Sequence, residues 1–105
     1  MKLESITKSN VPGKKYAAVY CLCPGTQGGN CSKPQKKTVQ FGQEGSQTYV
    51  EGATDAERAN YIARHRANEH WNDATTAGAL SRYILWGDSR SLEENIKSFK
   101  SKFNV

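Results

Sequence analysis

The fold of this chain is decided by the tract TAGALSRYILWG, residues 76–87. Within it, Ala77, Leu80 and Ile84 recur at the spacing of a single helix face. The tract therefore predicts an amphipathic helix that begins near Asp73 or Thr75 and runs to about residue 86.

Two glycines lie at or within the predicted helix. Gly87 follows the last apolar residue and is predicted to end it. Gly78 lies inside it, where glycine costs roughly 1 kcal/mol relative to alanine. We therefore expect a neighbouring backbone to pass close to Gly78.

Two further helices are predicted on either side of the tract. Thr54 and Glu57 have the spacing of a capping box, and Ala59, Ile62, Ala63 and Arg66 follow at helical spacing. A second box is predicted from Ser91 to Glu94. The apolar residues expected to be buried by the last helix are Leu92, Ile96, Phe99 and Phe103.

The first half of the chain predicts strands. Alternation over residues 14–23 with two apolar faces indicates a covered central strand, and residues 36–41 and 47–50 predict two more. Residues 1–13 are polar, end in Pro-Gly and are predicted to be a flexible arm. The fold class is therefore α+β: a small antiparallel meander of about three strands, followed by about three short helices in a single domain over residues 14–105.

The charge is unevenly distributed along the chain. Residues 1–52 contain seven lysines and three acidic residues, whereas residues 53–105 contain eight basic and seven acidic residues. A lysine excess suits phosphate, a membrane surface or an acidic protein face equally, and it also suits a solvated surface. No apolar run approaches the roughly 20 residues of a membrane span, and residues 1–10 lack the core of a signal peptide, so an intracellular protein is expected.

The sequence carries no recognisable catalytic or metal-binding signature. Cys21, Cys23 and Cys31 could bind zinc with His65 or His70, but a C-x-x-C pair is missing. A Cys23–Cys31 bridge is also geometrically possible. Ser81 lies outside a G-x-S-x-G elbow, a pair of Glu69 with His70 is more often structural, and the glycine-rich loop 24–30 lacks a phosphate-binding pattern. We predict no enzyme, no metal and no cofactor.

Five residues are candidates for structural ties. Arg64 and Arg82 are flanked by aromatic residues, and an arginine in such a setting can bind carboxylates such as Glu69 or Asp73, or the carbonyls at a helix end. The complete set of predicted ties is Arg64, His65, Trp71, Arg82 and Trp86.

Nucleic-acid binding is the alternative function that the residues suggest. Lysines border the loop after the first strand, and Tyr16, Tyr20 and Phe41 lie on the predicted sheet, where exposed aromatic rings could stack on bases. The same rings are also needed for the core of so small a domain. The lysines predicted to contact a partner of either kind are Lys14, Lys15, Lys33, Lys36 and Lys37.

Taken together, the motifs of residues 36–103 resemble an uncharacterised family of small proteins encoded by large nucleocytoplasmic DNA viruses, such as the chlorella viruses. The matching pieces are Phe41-Gly42, Tyr61-Ile62-x-Arg64-His65, Glu69-x-Trp71, Thr76-Ala77-Gly78-x-Leu80-Ser81-Arg82-Tyr83-x-Leu85-Trp86, and the closing Leu92, Ile96, Phe99 and Phe103.

The resemblance implies a viral origin and a non-enzymatic role. It is compatible with a minor capsid protein that cements neighbouring major and minor capsid proteins through its arm, the loop 24–37 and its exposed strand edges. Such a protein would be made in the host cytoplasm and located in the capsid layer of the virion.

Overall fold

A computed structural model describes residues 1–22, 36–66 and 71–105 of the chain. The elements, in chain order, are β1 (Lys2–Lys8), β2 (Lys14–Cys21), β3 (Lys36–Gln43), a 3₁₀ turn (Tyr49–Glu51), α1 (Asp55–His65), α2 (Ala77–Leu80) continued by a π-helical turn (Ser81–Leu85), and α3 (Leu92–Phe103). The predicted α+β fold, an antiparallel sheet followed by three helices, is confirmed.

The three strands form an antiparallel meander in the order β1-β2-β3. As predicted, β2 is the central strand. Its Tyr20 lies opposite Leu3 of β1, and its Tyr16 lies opposite Phe41 of β3. Leu3, Tyr20 and Phe41 are all buried, so the face of the sheet that carries them forms one side of the core.

Part of the predicted N-terminal arm belongs to this sheet. Lys2–Lys8 pair with β2 as strand β1, and Leu3 is only 2% exposed. The pairing register shifts between Leu3 and Ser5, so the inward residues Leu3 and Ile6 are three positions apart instead of two. This bulge removes the period-two pattern by which a strand is recognised in a sequence.

The third strand predicted at residues 47–50 is wrong, because this segment forms the 3₁₀ turn. Thr48 caps the turn: its hydroxyl and its backbone N–H both donate to Glu51 Oε1, at 2.7 and 3.1 Å. Gly52 then ends the turn in the left-handed conformation, with φ +112°. Local side-chain hydrogen bonds thus outweigh the strand propensity of Tyr49 and Val50.

Side-chain caps set the starts of the helices. The predicted box at α1 is confirmed: Glu57 N–H donates to Thr54 Oγ1 at 3.1 Å, and Thr54 N–H donates to Glu57 Oε1 at 3.0 Å. At α3, Glu94 N–H donates to Ser91 Oγ at 3.3 Å, but the Glu94 carboxylate accepts from Ser89 Oγ instead of closing the box.

The helix of the 76–87 tract is shorter and wider than predicted. Thr76 is its N-cap. Before it, Asp73 Oδ1 accepts a hydrogen bond from the N–H of Thr75 at 2.9 Å, so these residues form a turn that precedes the helix. The helix widens at Ser81, whose carbonyl accepts the N–H of Trp86 at 2.9 Å, a bond that spans five residues. Widening brings consecutive residues, Ile84, Leu85 and Trp86, into the core.

Gly87 and Asn95 join the end of this helix to α3. A Cβ at Gly87 would lie 2.3 Å from the Tyr83 carbonyl oxygen and 2.6 Å from Asn95 Cγ, so only glycine fits. The Asn95 side chain is buried and donates to the carbonyls of Ile84 and Ser89, at 2.8 and 2.7 Å. It also accepts the N–H of Ser89 at 3.0 Å. The side-chain amide of Asn95 thus holds together the connection between the π-helical turn and α3.

We predict that Asn95→Ala destabilises the protein by about 2–4 kcal/mol, because it leaves buried backbone groups without partners. Urea unfolding followed by circular dichroism measures this, with Ser98→Ala on the exposed side of α3 as the matched control. A loss below about 0.5 kcal/mol would show that Asn95 does not hold the connection.

Candidate functional site

The carbonyl of Trp86, at the end of the π-helical turn, accepts hydrogen bonds from two arginines. Arg82 Nη1 donates to it at 3.0 Å and Arg58 Nε at 3.2 Å. Arg58 Nε also lies 3.0 Å from the carbonyl oxygen of Gly87, and its Nη2 lies 2.7 Å from Asp88 Oδ1. Cations suit the unsatisfied carbonyls at a helix end, so these bonds attach α1 to the π turn.

Three aromatic rings stack beside this carbonyl. The Tyr61 ring lies 4.5 Å from that of Trp86, with an interplanar angle of 6°, and its centroid lies 4.3 Å from that of His65. The inward residues of α1 are therefore Arg58, Tyr61, Ile62 and His65, whereas the alanines at helical spacing are exposed.

A cleft of about 940 Å³ lies between the sheet and the helices. Phe41 and Gly42 line it from β3, Tyr61 and Arg64 line it from α1, and Leu85 lines it from the π turn. Its volume is at the upper end of the range of ligand sites, roughly 300–1,000 Å³.

Gly42 sets the closest approach between the sheet and the π turn. Its φ is +80°, and a Cβ built there would lie 2.9 Å from Leu85 Cδ1 and 3.0 Å from Lys15 Cβ. A larger residue would push Leu85 away and strain the backbone. Gly78 also lines the cleft.

The five predicted ties have different outcomes. Arg82 binds a helix-end carbonyl, Trp86 is buried, and the rings of Trp86 and His65 both stack with that of Tyr61. Arg64, predicted to bind carboxylates or helix-end carbonyls, is exposed on the wall of the cleft. Arg58, which the sequence analysis did not single out, makes the bonds expected of Arg64.

Arg82 and Trp71 each bury a nitrogen donor. The guanidinium of Arg82 lies 5.4 Å from the Trp71 ring and 5.0 Å from the Tyr83 ring. Neither Arg82 Nε nor Trp71 Nε1 has a hydrogen-bond partner within the described part of the chain. Burial, and then the charge of Arg58, lower the pKa of Arg82.

The four predicted partner-contact lysines that the structure describes have different surroundings. Lys14 lines the cleft. Lys15 Nζ pairs with Glu51 Oε2 at 2.9 Å, and Lys36 Nζ lies 3.4 Å from Glu4 Oε1. Lys37 is exposed, and Lys33 lies outside the described residues.

The sheet aromatics expected to stack on bases belong to the core. Tyr20 and Phe41 are fully buried, and Tyr16 is half-buried with its ring 5.8 Å from that of Phe41. The Tyr20 hydroxyl donates to the carbonyl of Ala74, and its burial together with the charge of Asp73 raises its pKa. The prediction that Tyr20 and Phe41 are exposed and could stack on bases is therefore wrong.

The cysteines are accounted for only in part. Cys21 is disulfide-bonded, and its partner lies outside the described residues. The disulfide takes Cys21 out of the thiolate set considered for zinc, and the Cys23–Cys31 bridge considered from the sequence lies outside the described residues. Across residues 1–22, 36–66 and 71–105, no group of three potential metal ligands forms. Four further residues considered for metal or acid–base chemistry lie outside the described ranges: Cys23, Cys31, Glu69 and His70.

The described helices are too short or too polar for a membrane crossing.

A family of unknown function (DUF5754) matches residues 4–65, which span the sheet and α1. The chain belongs to this family. An uncharacterized protein of Acanthamoeba polyphaga mimivirus is 33% identical over 87 residues, covering 77% of this chain and 78% of the relative. No solved structure matches.

These comparisons support an uncharacterised family of large DNA virus proteins, as the resemblance implied. The family match ends before the 76–87 tract, so the tract as a family signature, and the chlorella-virus type, stay predictions.

The different roles of Arg58 and Arg64 in α1 can be tested by mutation. We predict that Arg58→Ala lowers the free energy of unfolding by about 1–3 kcal/mol, because it removes the hydrogen bonds that attach α1 to the carbonyls of Trp86 and Gly87. Arg64→Ala is the matched control on the same helix and should change it by less than about 0.5 kcal/mol. Thermal unfolding separates the two, and equal losses would contradict this assignment of roles.

The contacts of Glu51 predict that the stability of the fold depends on pH. Its burial disfavours the charge, but hydrogen bonds from Thr48 and Lys15 outweigh this and lower the pKa of Glu51 below its ordinary 4.5. A lowered pKa stabilises the fold above the ordinary value, and this stability is lost as the pH falls through the folded value.

We therefore expect Glu51→Gln to be less stable than the wild type at neutral pH, with a difference that shrinks on acidification below about pH 4.5. Urea unfolding at a series of pH values measures it, with Glu93→Gln on the exposed first turn of α3 as the control. A difference that is constant with pH would contradict the assignment.

Proposed function

We propose that this protein is a non-enzymatic structural protein of a large DNA virus particle, a minor capsid protein that contacts other capsid proteins through its cleft. The cleft carries the proposal, because it is wide, framed by the sheet and the helices, and lined by a mixture of apolar and polar side chains. Such a lining is typical of a recognition site. The mimivirus relative supports the viral setting.

The polar lining of the cleft favours binding over catalysis. Glu57 is committed to the cap of α1, and its hydrogen bonds with the Thr54 backbone and hydroxyl lower its pKa. The remaining polar groups are mainly hydroxyls and amides, such as those of Ser81, Asn60 and Gln43. Groups of this kind donate to and accept from a peptide backbone.

The mode of contact differs from the one suggested by the sequence. An arm that reaches a neighbouring protein is not available over Lys2–Lys8, because these residues pair with β2 and Leu3 N–H donates to the carbonyl of Val105 at 3.2 Å. The cleft takes the place of the arm as the contact surface. We propose that the protein is made in the host cytoplasm and assembled into the capsid layer.

The test is the composition of purified particles during stepwise disassembly, followed by quantitative mass spectrometry. We expect the chain to remain with the major capsid protein after detergent and salt have removed loosely bound proteins. Absence from purified particles, or release together with the genome-containing core, would overturn the capsid assignment.

A further inference from the structure

We propose that the segment held in the cleft is acidic. This deepens the proposed function and rests on it, since the occupant is taken to be part of a partner protein. The proposal is carried by three cations that line the cleft and a second hollow and have no carboxylate partner among the described residues: Lys8, Lys14 and Arg64.

The charges that line the cleft do not balance. Lys14 and Arg64 are exposed on its walls, and neither pairs with a carboxylate among the described residues. The one described acid in the lining, Glu57, accepts the N–H of Thr54 at the cap of α1, and its single negative charge does not balance the two cations. A ligand in the cleft therefore lies beside two cations that have no carboxylate partner among the described residues. Positive charges on the ligand would be repelled.

A second hollow of about 200 Å³ continues the same pattern. Lys14 lines both hollows, and Lys8 lies in the second one without a carboxylate partner in the described ranges. Both acidic residues of this hollow have partners within the protein. Glu44 Oε2 accepts the N–H of Gly13 at 3.1 Å, and Glu51 pairs with Lys15 at 2.9 Å. Lys14 thus connects the two hollows.

The described lining suits a peptide better than a single-stranded nucleic acid. Base recognition needs exposed ring faces. In the cleft, the Tyr61 ring already stacks with the rings of His65 and Trp86, and Trp86 is only 8% exposed. Hydroxyl and amide groups on the walls can bond a peptide backbone, while Lys14 and Arg64 attract carboxylates.

Binding of a defined peptide to the full chain tests the proposal. The probe is a fluorescein-labelled peptide of about ten residues in which glutamate alternates with serine and tyrosine, with glutamine replacing glutamate in the comparison peptide. Extended, it spans about 33 Å. We expect the acidic peptide to bind and the glutamine peptide to bind at least about tenfold more weakly.

Charge-reversal variants locate the site. Lys14→Glu and Arg64→Glu should each weaken binding of the acidic peptide by about fivefold or more, because each replaces an attraction by a repulsion. Lys97→Glu, on the exposed side of α3, changes the net charge equally and should leave the affinity within about twofold. Circular dichroism checks that the variants are folded. If Lys14→Glu does not fold, Arg64→Glu alone tests the site.

Three outcomes would overturn the proposal: equal losses in Lys97→Glu and the cleft variants, no binding of the acidic peptide, or its displacement by single-stranded DNA at lower concentration than by unlabelled peptide. A chain that stays with the capsid layer yet ignores the acidic peptide would refute this inference alone. A chain that binds the peptide but is absent from particles would refute the proposed function.

Discussion

The position of α1 depends on how Arg58 and Tyr61 contact the end of the π-helical turn. No residue of α1 is fully buried, so an apolar stripe does not hold this helix in place. Its attachment comes from Arg58, which binds the carbonyls of Trp86 and Gly87, and from the Tyr61 ring stacked on that of Trp86. Because α1 forms one wall of the cleft, the shape of the cleft depends on these same contacts.

The other side of the π turn is fixed just as closely. Asn95 of α3 bonds the carbonyls of Ile84 and Ser89, and Gly87 leaves room for its side chain. The residues around Trp86 are thus held by α1 on one side and α3 on the other. Gly42 then lets the sheet approach Leu85, which completes the floor of the cleft.

The sequence predicted well where a structure is decided by neighbouring residues. The capping box of Thr54 with Glu57 and the cap at Ser91 follow from spacing alone, and the two apolar faces of β2 indicate a central strand. Local reasoning failed at β1, where a bulge breaks the alternation between Leu3 and Ile6. It also failed at Tyr49–Glu51, where Thr48 and Glu51 form a turn.

The site was harder to predict than the fold. Spacing cannot show whether Arg58 or Arg64 faces the core, because the choice depends on where the Trp86 carbonyl lies in space. Burial of Asn95 among carbonyls is likewise a tertiary feature. One local signal was available: Arg58, Tyr61 and His65 share a face of α1, which marks a polar and aromatic inward side.

Amide chemical shifts of the isotope-labelled full chain during addition of the acidic peptide test most directly whether the cleft is the binding surface. We expect shifts concentrated at Gly42, along the Asn60–His65 side of α1, and at Ser81. Shifts confined to α3 or to the outer face of the sheet would contradict it.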